Sequence, residues 1–440
     1  MPLTKVSAGV IAANAVNDSF GTQSITGDKL GLTAINANNI VGGAVTGDKL
    51  GATSINANNI VGGTITTTQI ASNTISNTNI QTGAIEVYSS SRSTGLFDGM
   101  RNRIINGAMV INQRALGTTT INSGSAWVYT IDRWSAIGES ALGVYTLQQS
   151  STAPAGFVNS LLATVTTSTT PSSGHLYVIR QPIEGFNVAD LGWGTANAKT
   201  VTLSFQVYSS LTGTFGGSLQ NSASNRSYPF TYSIPTANTW TTISVTIAGD
   251  TSGTWVGATN GVGIYMYFGL GIGSTYSGTA GAWAGANYLS ATGATSVIST
   301  NGATFYITGV QLEVGSTATS FDYRPYGTEL QLCQRYYYKI AEGGSAYTQF
   351  GAGRAFSTTE GNGIVPFPVP MRSAPTFAYL GAVGDYDFSP TAISGGAVPA
   401  SNTHMTVGMT FSSITSGSMF WLGANAGASG PAGFTFSAEL

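Results

Sequence analysis

The sequence predicts an all-β chain in three parts: a repetitive, β-like fibrous shaft over residues 1–88, a central jelly-roll or β-sandwich domain over 102–338, and a small β domain over 339–440, with a hinge at 89–101. Three observations lead there. Aliphatic side chains return every five residues through the first part. Period-two alternation between Gly, Asn, Ser and Thr turns fills the second and third. Only one stretch has helical periodicity.

The shaft comes first. From Ile25 the stretch "ITGDKLGLTAINANNIVGGAVTGDKLGATSINANNIVGG" nearly copies itself, and Leu30, Ile35, Ile40, Val45, Leu50, Ile55, Ile60, Ile65, Ile70, Ile75, Ile80 and Ile85 follow at intervals of five. Five fits neither the period of a helix nor that of a regular strand, so short extended legs must bend to bring these side chains to one side. Gly42, Gly43, Gly62, Gly63 and the many Asn tolerate such bends. One apolar residue in five closes no core alone, so the repeats must stack on something. A chain coiled on itself would want a small residue two positions before each central aliphatic, where this sequence has Gln23, Asp28, Thr33, Asn38, Gly43 and Asp48. Several parallel chains sharing an axis fit better, with a cyclic symmetry such as three-fold, and Ile35, Ile40, Ile55, Ile60, Ile65 and Ile70 as axial residues. A disordered linker has no reason to keep the register.

After the polar hinge "YSSSRSTGLFDGMRNR" the strands begin. Val201, Leu203, Phe205 and Val207 alternate with polar residues, as do Ile243, Val245 and Ile247. In "GVGIYMYFGLGIG", Val262 to Ile272 put aliphatics on one face and Tyr265 and Tyr267 on the other. In "TFYITGVQLEVG" the phase changes at Gly309, which predicts a β-bulge. "TELQLCQRYYYK" is the helix, with Leu330, Cys333 and Tyr337 along one side and Cys333 as a buried small hydrophobe. "VPFPVPMRSAP" is an extended edge or linker, and short strands follow to Leu440.

Composition excludes several classes. Of 440 residues only 8% are charged, with a formal net charge of −2, so no basic field exists to hold nucleic acid or an anionic membrane. No apolar run reaches the ~20 residues of a membrane helix, and the N-terminus has no signal-peptide pattern. One cysteine excludes a disulfide framework, and two histidines exclude a multi-histidine metal site in one chain. "GLGIGS" at 269–274 lies in a strand pattern and precedes no helix, so it is no phosphate loop. No cofactor is expected.

The strings "RNRIINGAMVINQR", "YTIDRW", "QPIEGFNVADLGWGTANAKTVTLSFQVYSS", "TWTTISVTIAGDTSGTW" and "YITGVQLEVGSTATSFDYRPYGTELQLCQRYY" occur in order over about residues 101–338. In these the chain resembles tail-fibre proteins of tailed bacteriophages, those of cyanophage type among them, and the repeat is similar to their "ITxxxI" shafts. The resemblance implies a homotrimeric virion fibre made in the host cytoplasm. It also implies that the N-terminus joins a tail or baseplate protein and the distal end contacts the host, with a carbohydrate-binding-module-like sandwich between. Residues 339–440 match no motif and suit a variable tip.

Within that frame, exposed aromatics are the handle for sugar, since the apolar face of a pyranose stacks on Trp or Tyr while amides and carboxylates select the hydroxyls. Trp421, Tyr386 and His404 are the distal candidates, with Asp385 and Asp387 flanking Tyr386. Phe420 and Trp421 are adjacent on a strand, so one faces inward and the other out. Trp127, Trp134, Trp193 and Trp240 sit beside strand patterns and are expected to be buried, Trp255 and Trp283 in Gly-rich turns to be exposed. Glu184, Asp190, Glu313 and Asp322 are expected to bond structurally with Arg180 or Arg324. The expected function is host attachment through a surface glycan, without catalysis. The alternatives are a glycan-depolymerising tailspike, a structural tail component with no receptor role, and a bacterial adhesin.

Overall fold

The computed structural model describes residues 100–122, 124, 126–138, 142–342, 349–380, 383–384, 390–395, 401–424 and 432–440. The chain divides into two units, Met1–Ser91 and Arg92–Leu440, and everything described belongs to the second. The shaft and its axial candidates Ile35, Ile40, Ile55, Ile60, Ile65 and Ile70 lie outside the described residues.

The protein is nearly all β. Strands run in the order β1 (Thr119–Ile121), β2 (Val128–Ile131), β3 (Trp134–Gly138), β4 (Val144–Ser150), β5 (Ser160–Thr167), β6 (Leu176–Glu184), β7 (Val201–Ser209), β8 (Gly213–Gln220), β9 (Ser227–Ile234), β10 (Thr241–Ile247), β11 (Val262–Ile272), the short β12 (Ser277–Gly278) and β13 (Ser290–Ala291), and β14 (Thr304–Val314). They make two six-stranded antiparallel sheets. The first has the order β1-β4-β5-β14-β7-β10 and the second β2-β3-β6-β11-β8-β9. Only β2–β3, β4–β5 and β8–β9 are consecutive strands within one sheet; the other connections among these strands cross from one sheet to the other. Between them lies one core, in which Val201, Leu203, Phe205 and Val207 of β7 meet Ile264, Met266, Phe268 and Leu270 of β11.

Alternation sets which side chains enter that core, and two irregularities reset it. Gly309 takes φ +62 at a register shift between Thr308 and Gln311, the bulge the sequence predicts, so Phe305 and Ile307 before it and Val310 and Leu312 after it all point inward. A second shift between Gly269 and Gly271 breaks the alternation of β11, and Ile272 joins a cluster on the outward side of its sheet.

The "RNRIINGAMV" segment plugs one end of the sandwich. Asn102 accepts from the backbone N–H of Ile104 (2.9 Å) and Leu312 (3.1 Å) and donates to Val310 O (3.0 Å). Asn106 exchanges hydrogen bonds with Ile111 and donates to Asp132 O, at 2.8 to 2.9 Å. Helix α1 (Tyr326–Gln334) follows β14 and packs Cys333 with Ile105, Ile111 and Tyr336. Burial pushes the Cys333 thiol well up, so it is an inert packing group. The helix ends at Gln334, and Tyr337 belongs to the next strand because Tyr336 and Tyr337 already have partners in the sheet and in Arg133 and Arg114.

A second core forms from β15 (Tyr337–Glu342), β16 (Gln349–Ala355), β17 (Glu360–Pro366), β18 (Thr376–Tyr379), β19 (Val383–Gly384), β20 (Pro390–Gly395), β21 (His404–Phe411), β22 (Met419–Ala424) and β23 (Ala432–Ser437). The sheet β19-β22-β16-β17-β21-β20 and the smaller β15-β23-β18 enclose Met371, Val407, Phe420, Leu422, Phe434 and Phe436. Gly353 and Gly363 are required here, because a Cβ would sit 2.3 Å from the Phe420 ring and 2.6 Å from Leu422 respectively.

Ion pairs join the two cores. Glu439 is gripped by Arg133 and by Arg114 (2.9 Å), and Glu184 by Arg335 (2.5 Å) and the hydroxyl of Tyr336 (2.5 Å). The expected partners are therefore corrected. Asp190 pairs with Arg103 and Lys199, Asp322 with Arg101, and Arg324 with Glu329, while Glu313 takes hydrogen bonds from Gln311 and Thr319. Arg180 pairs with none of them. These acids meet cations that lie elsewhere in sequence, which spacing along the chain does not reveal.

Candidate glycan-binding surfaces

The outward face of the first sheet carries its own aromatic group. Tyr306 on β14, Tyr208 on β7 and Trp240 just before β10 are half-buried and face outward. Their ring centroids are 5.0 Å (Tyr208–Tyr306), 5.5 Å (Tyr208–Trp240) and 6.2 Å (Trp240–Tyr306) apart. Cross-strand pairing of Tyr306 with Tyr208 makes this contact unavoidable once the register is set. Trp240 thus corrects its expected burial: it precedes the strand and covers the sheet from outside.

Two residues further along the strands the aromatics give way to a groove of about 330 Å³. Its floor is the paired residues Gln206 with Thr242 and Ser204 with Ser244. Thr242 donates to the Gln206 side-chain oxygen (3.1 Å), so the amide NH₂ is the part of that side chain left to donate. One wall is the 318–323 loop with Phe157. Hydrogen bonds hold that wall. Glu313 accepts from Thr319 N (2.8 Å) and Oγ1 (2.7 Å), Gln311 accepts from Asp322 N (2.8 Å), and the Tyr323 hydroxyl donates to Gly156 O (2.5 Å). Phe157 lies on Gly309, where a Cβ would come 2.6 Å from its ring, and meets Phe321 edge-on at 5.1 Å. From Tyr208 to Ser204 the floor extends about 14 Å. Among the described residues no charged side chain lines it.

Phe157, Phe321 and Tyr323 also border a larger cleft of about 400 Å³ on their other side. Its lining is chiefly apolar, Ile104, Val110, Val158 and Tyr326 among it, and its Arg324 and Glu329 are occupied with each other at 3.1 Å.

The outward face of the second sheet carries another group. Arg180, at the centre of β6, is paired across the sheet with Ser135 on one side and Tyr267 on the other. Its guanidinium lies 3.5 Å over Trp127 and 4.8 Å from Tyr265. Trp127 is half-buried, again correcting its expected burial, and packs from outside on Tyr267. Trp134 and Trp193 are buried as expected. Trp255 and Trp283, expected to be exposed, are half-buried because they stack edge-on against Trp193, at 4.8 and 5.2 Å.

Of the distal candidates, Trp421 and His404 are both exposed on the outward face of the β19-β22-β16-β17-β21-β20 sheet, separated by β16 and β17, about 14 Å. Phe420 points inward, as alternation requires. Trp421 (54% exposed) shares its face with Met419 (69%) and Ile364 (58%), a mostly aliphatic surface. Asp385, Tyr386 and Asp387 lie outside the described residues. Sequence reading missed Tyr208, Trp240, Tyr306 and Gln206. The signal was present, since Tyr208 follows a clean alternation that already put its neighbours inward.

Among the described residues no group of His, Cys, Asp and Glu could hold a metal ion, and no helix is long and apolar enough to cross a membrane.

No family model and no curated protein sequence matches the chain. Among solved structures, the enzymatically active domain of tailspike protein 4 of bacteriophage CBA120 aligns at 13% identity and TM-score 0.26, over 49% of this chain and 22% of that one. A Bacteroides thetaiotaomicron protein named for sugar binding aligns at 14% and 0.28, over 49% and 100%. A family 11 carbohydrate-binding module of Clostridium thermocellum, solved with a mixed-linked tetrasaccharide, aligns at 10% and 0.23, over 47% and 99%. The chain spans about a fifth of the length of the tailspike structure.

Proposed function

We propose that the protein is a glycan-binding attachment protein, a trimeric tail fibre of a bacteriophage virion, and that its sandwich binds a surface saccharide without cleaving it. One observation carries the binding reading: the Tyr208–Trp240–Tyr306 group runs directly into a neutral groove floored by amide and hydroxyl groups. Sugar rings stack on the aromatics by their C–H faces, and Gln206, Thr242, Ser204 and Ser244 exchange hydrogen bonds with hydroxyls at the spacing of the strands. The wall is held by several hydrogen bonds anchored on the buried Glu313 and Gln311, so little ordering is required on binding.

The absence of cleavage is supported by the lining. Most glycoside hydrolases use a pair of carboxyl groups flanking the bond, and none of the described residues of the groove carries one. The fibre reading rests on the repeat and on the tail-fibre resemblance of residues 101–338. A weak single-site affinity is multiplied when three copies engage one surface.

The test is adsorption and oligosaccharide binding by the whole protein. Trp240→Ala and Tyr208→Ala should each weaken binding of host-surface oligosaccharide about tenfold or more, by loss of a stacking contact. Trp421→Ala serves as the comparison at the tip. Loss of binding only in Trp421→Ala would place the receptor contact on the distal sheet, and release of reducing ends by the wild-type protein would make it an enzyme. Light scattering that returns a monomer mass would end the trimer reading.

A further inference from the structure

We infer that the outward face of the second sheet is a separate subsite for an acidic sugar residue, with the carboxylate on Arg180 and the ring against Trp127 and Tyr265. The starting point is a charge without a counter-charge. Arg180 is only 7% exposed, yet no carboxylate pairs with it among the described residues. Glu184, on the same strand, is held by Arg335 and Tyr336, and Glu439 by Arg133 and Arg114. Arg180 has one hydrogen bond to Ser135 Oγ (3.3 Å), the hydroxyl of Tyr267 nearby, and the ring faces of Trp127 and Tyr265.

Taking a guanidinium out of water without an anion is unfavourable, and ring faces compensate only part of it. Every other buried arginine described here has a carboxylate, so the local chemistry can supply one. What remains at Arg180 is a planar, permanently charged fork matched to a carboxylate. The guanidinium occupies one face of Trp127 and lies near Tyr265, and the ring surface that these two half-buried aromatics leave exposed could carry a pyranose. A bare anion would use the fork and ignore the rings, and a neutral sugar would use the rings and ignore the fork. An acidic sugar uses both. The site is on the opposite sheet from the neutral groove and does not depend on it.

The experiment uses the whole protein, with tryptophan fluorescence and calorimetry to follow binding of tetragalacturonate, an oligosialate, carboxyl-reduced tetragalacturonate and inorganic phosphate. At least one acidic oligosaccharide should bind about ten- to a hundredfold more tightly than the reduced one, the range of a charge-assisted hydrogen bond. Arg180→Gln should remove that preference, and Tyr265→Ala should weaken binding while keeping the preference. The preference should persist in Trp240→Ala, which disables the groove, so failure here is separable from failure of the proposed function. Equal binding of acidic and reduced forms by the wild type overturns the inference even where Arg180→Gln does not fold. So does phosphate binding as tightly as the acidic sugars, which would make the site a bare anion site.

Discussion

Glu439→Gln should be among the most damaging single changes in the molecule. Arg133 is the partner that matters: its side chain is 1% exposed, it stacks 3.6 Å over the Tyr336 ring, and it donates to Pro182 O (2.5 Å). Burial is the largest influence and acts to lower the pKa of this guanidinium, but Glu439, the foremost of the opposing groups, together with Tyr336, Tyr129 and Cys333 outweighs it, so the group stays charged with a raised pKa. Replacing the carboxylate with an amide leaves the cation in place, buried, with hydrogen-bond acceptors and no anion. Breaking a buried pair from one side costs about 3–5 kcal/mol. Removing both charges costs much less, because the desolvation penalty goes with them, so Arg133→Met combined with Glu439→Gln should recover part of the loss.

The measurement is urea unfolding followed by tryptophan fluorescence, on wild type, both single variants and the double. The double-mutant cycle should give a coupling of about 2 kcal/mol or more. A loss under about 0.5 kcal/mol for Glu439→Gln, or strict additivity in the cycle, would show that Arg133 is solvated and that the two cores are not held through this pair.

Asp132 gives a pH test. Burial raises its carboxyl to about 6, against hydrogen bonds from Gln113 that lower it. An acid raised in the folded state binds its proton more tightly there, so its contribution is complete below about pH 4 and is lost as pH rises through 6, a change of about 3 kcal/mol. Unfolding free energy measured between pH 4 and 7 should fall with pH, and less steeply in Asp132→Asn; identical slopes would contradict it. Gly309→Ala meets φ +62 and the Phe157 ring together, and should lower stability by more than about 1 kcal/mol while weakening oligosaccharide binding at the groove, read in the same titrations.

The fold was legible because alternation is a local property. Val201 to Val207 and Phe305 to Leu312 point inward as their pattern requires, and Gly309 announces its bulge by the phase change on either side of it. The sites were less legible for the same reason. Tyr208 and Tyr306 become neighbours only when β7 pairs with β14, about a hundred residues apart, and Trp240 reaches them from a loop. A tryptophan beside a strand pattern reads as core, and Trp134 obeys, but Trp127 and Trp240 are amphipathic enough to cover a sheet from outside. Charge partners were the least legible, since each ion pair that joins the two cores spans more than a hundred residues.

That placement of charge has a consequence at the surface. In a chain with 8% charged residues, the pairs Arg133–Glu439, Arg335–Glu184 and Arg324–Glu329 bury their carboxylates, and the groove on the outward face of the first sheet is lined, among the described residues, by uncharged side chains. The saccharide recognition proposed there would depend on stacking and on short-range hydrogen bonds, neither of which is screened by ions at a Debye length of about 8–10 Å. Binding of a neutral oligosaccharide at the groove should therefore change less than about twofold when salt is raised from dilute buffer to well above physiological strength, in calorimetric titrations. Binding that involves Arg180 should weaken over the same range, because salt screens the attraction between the guanidinium and an anion arriving from water. A neutral ligand whose affinity falls steeply with salt would mean that its site is not the groove lined by Gln206 and Thr242.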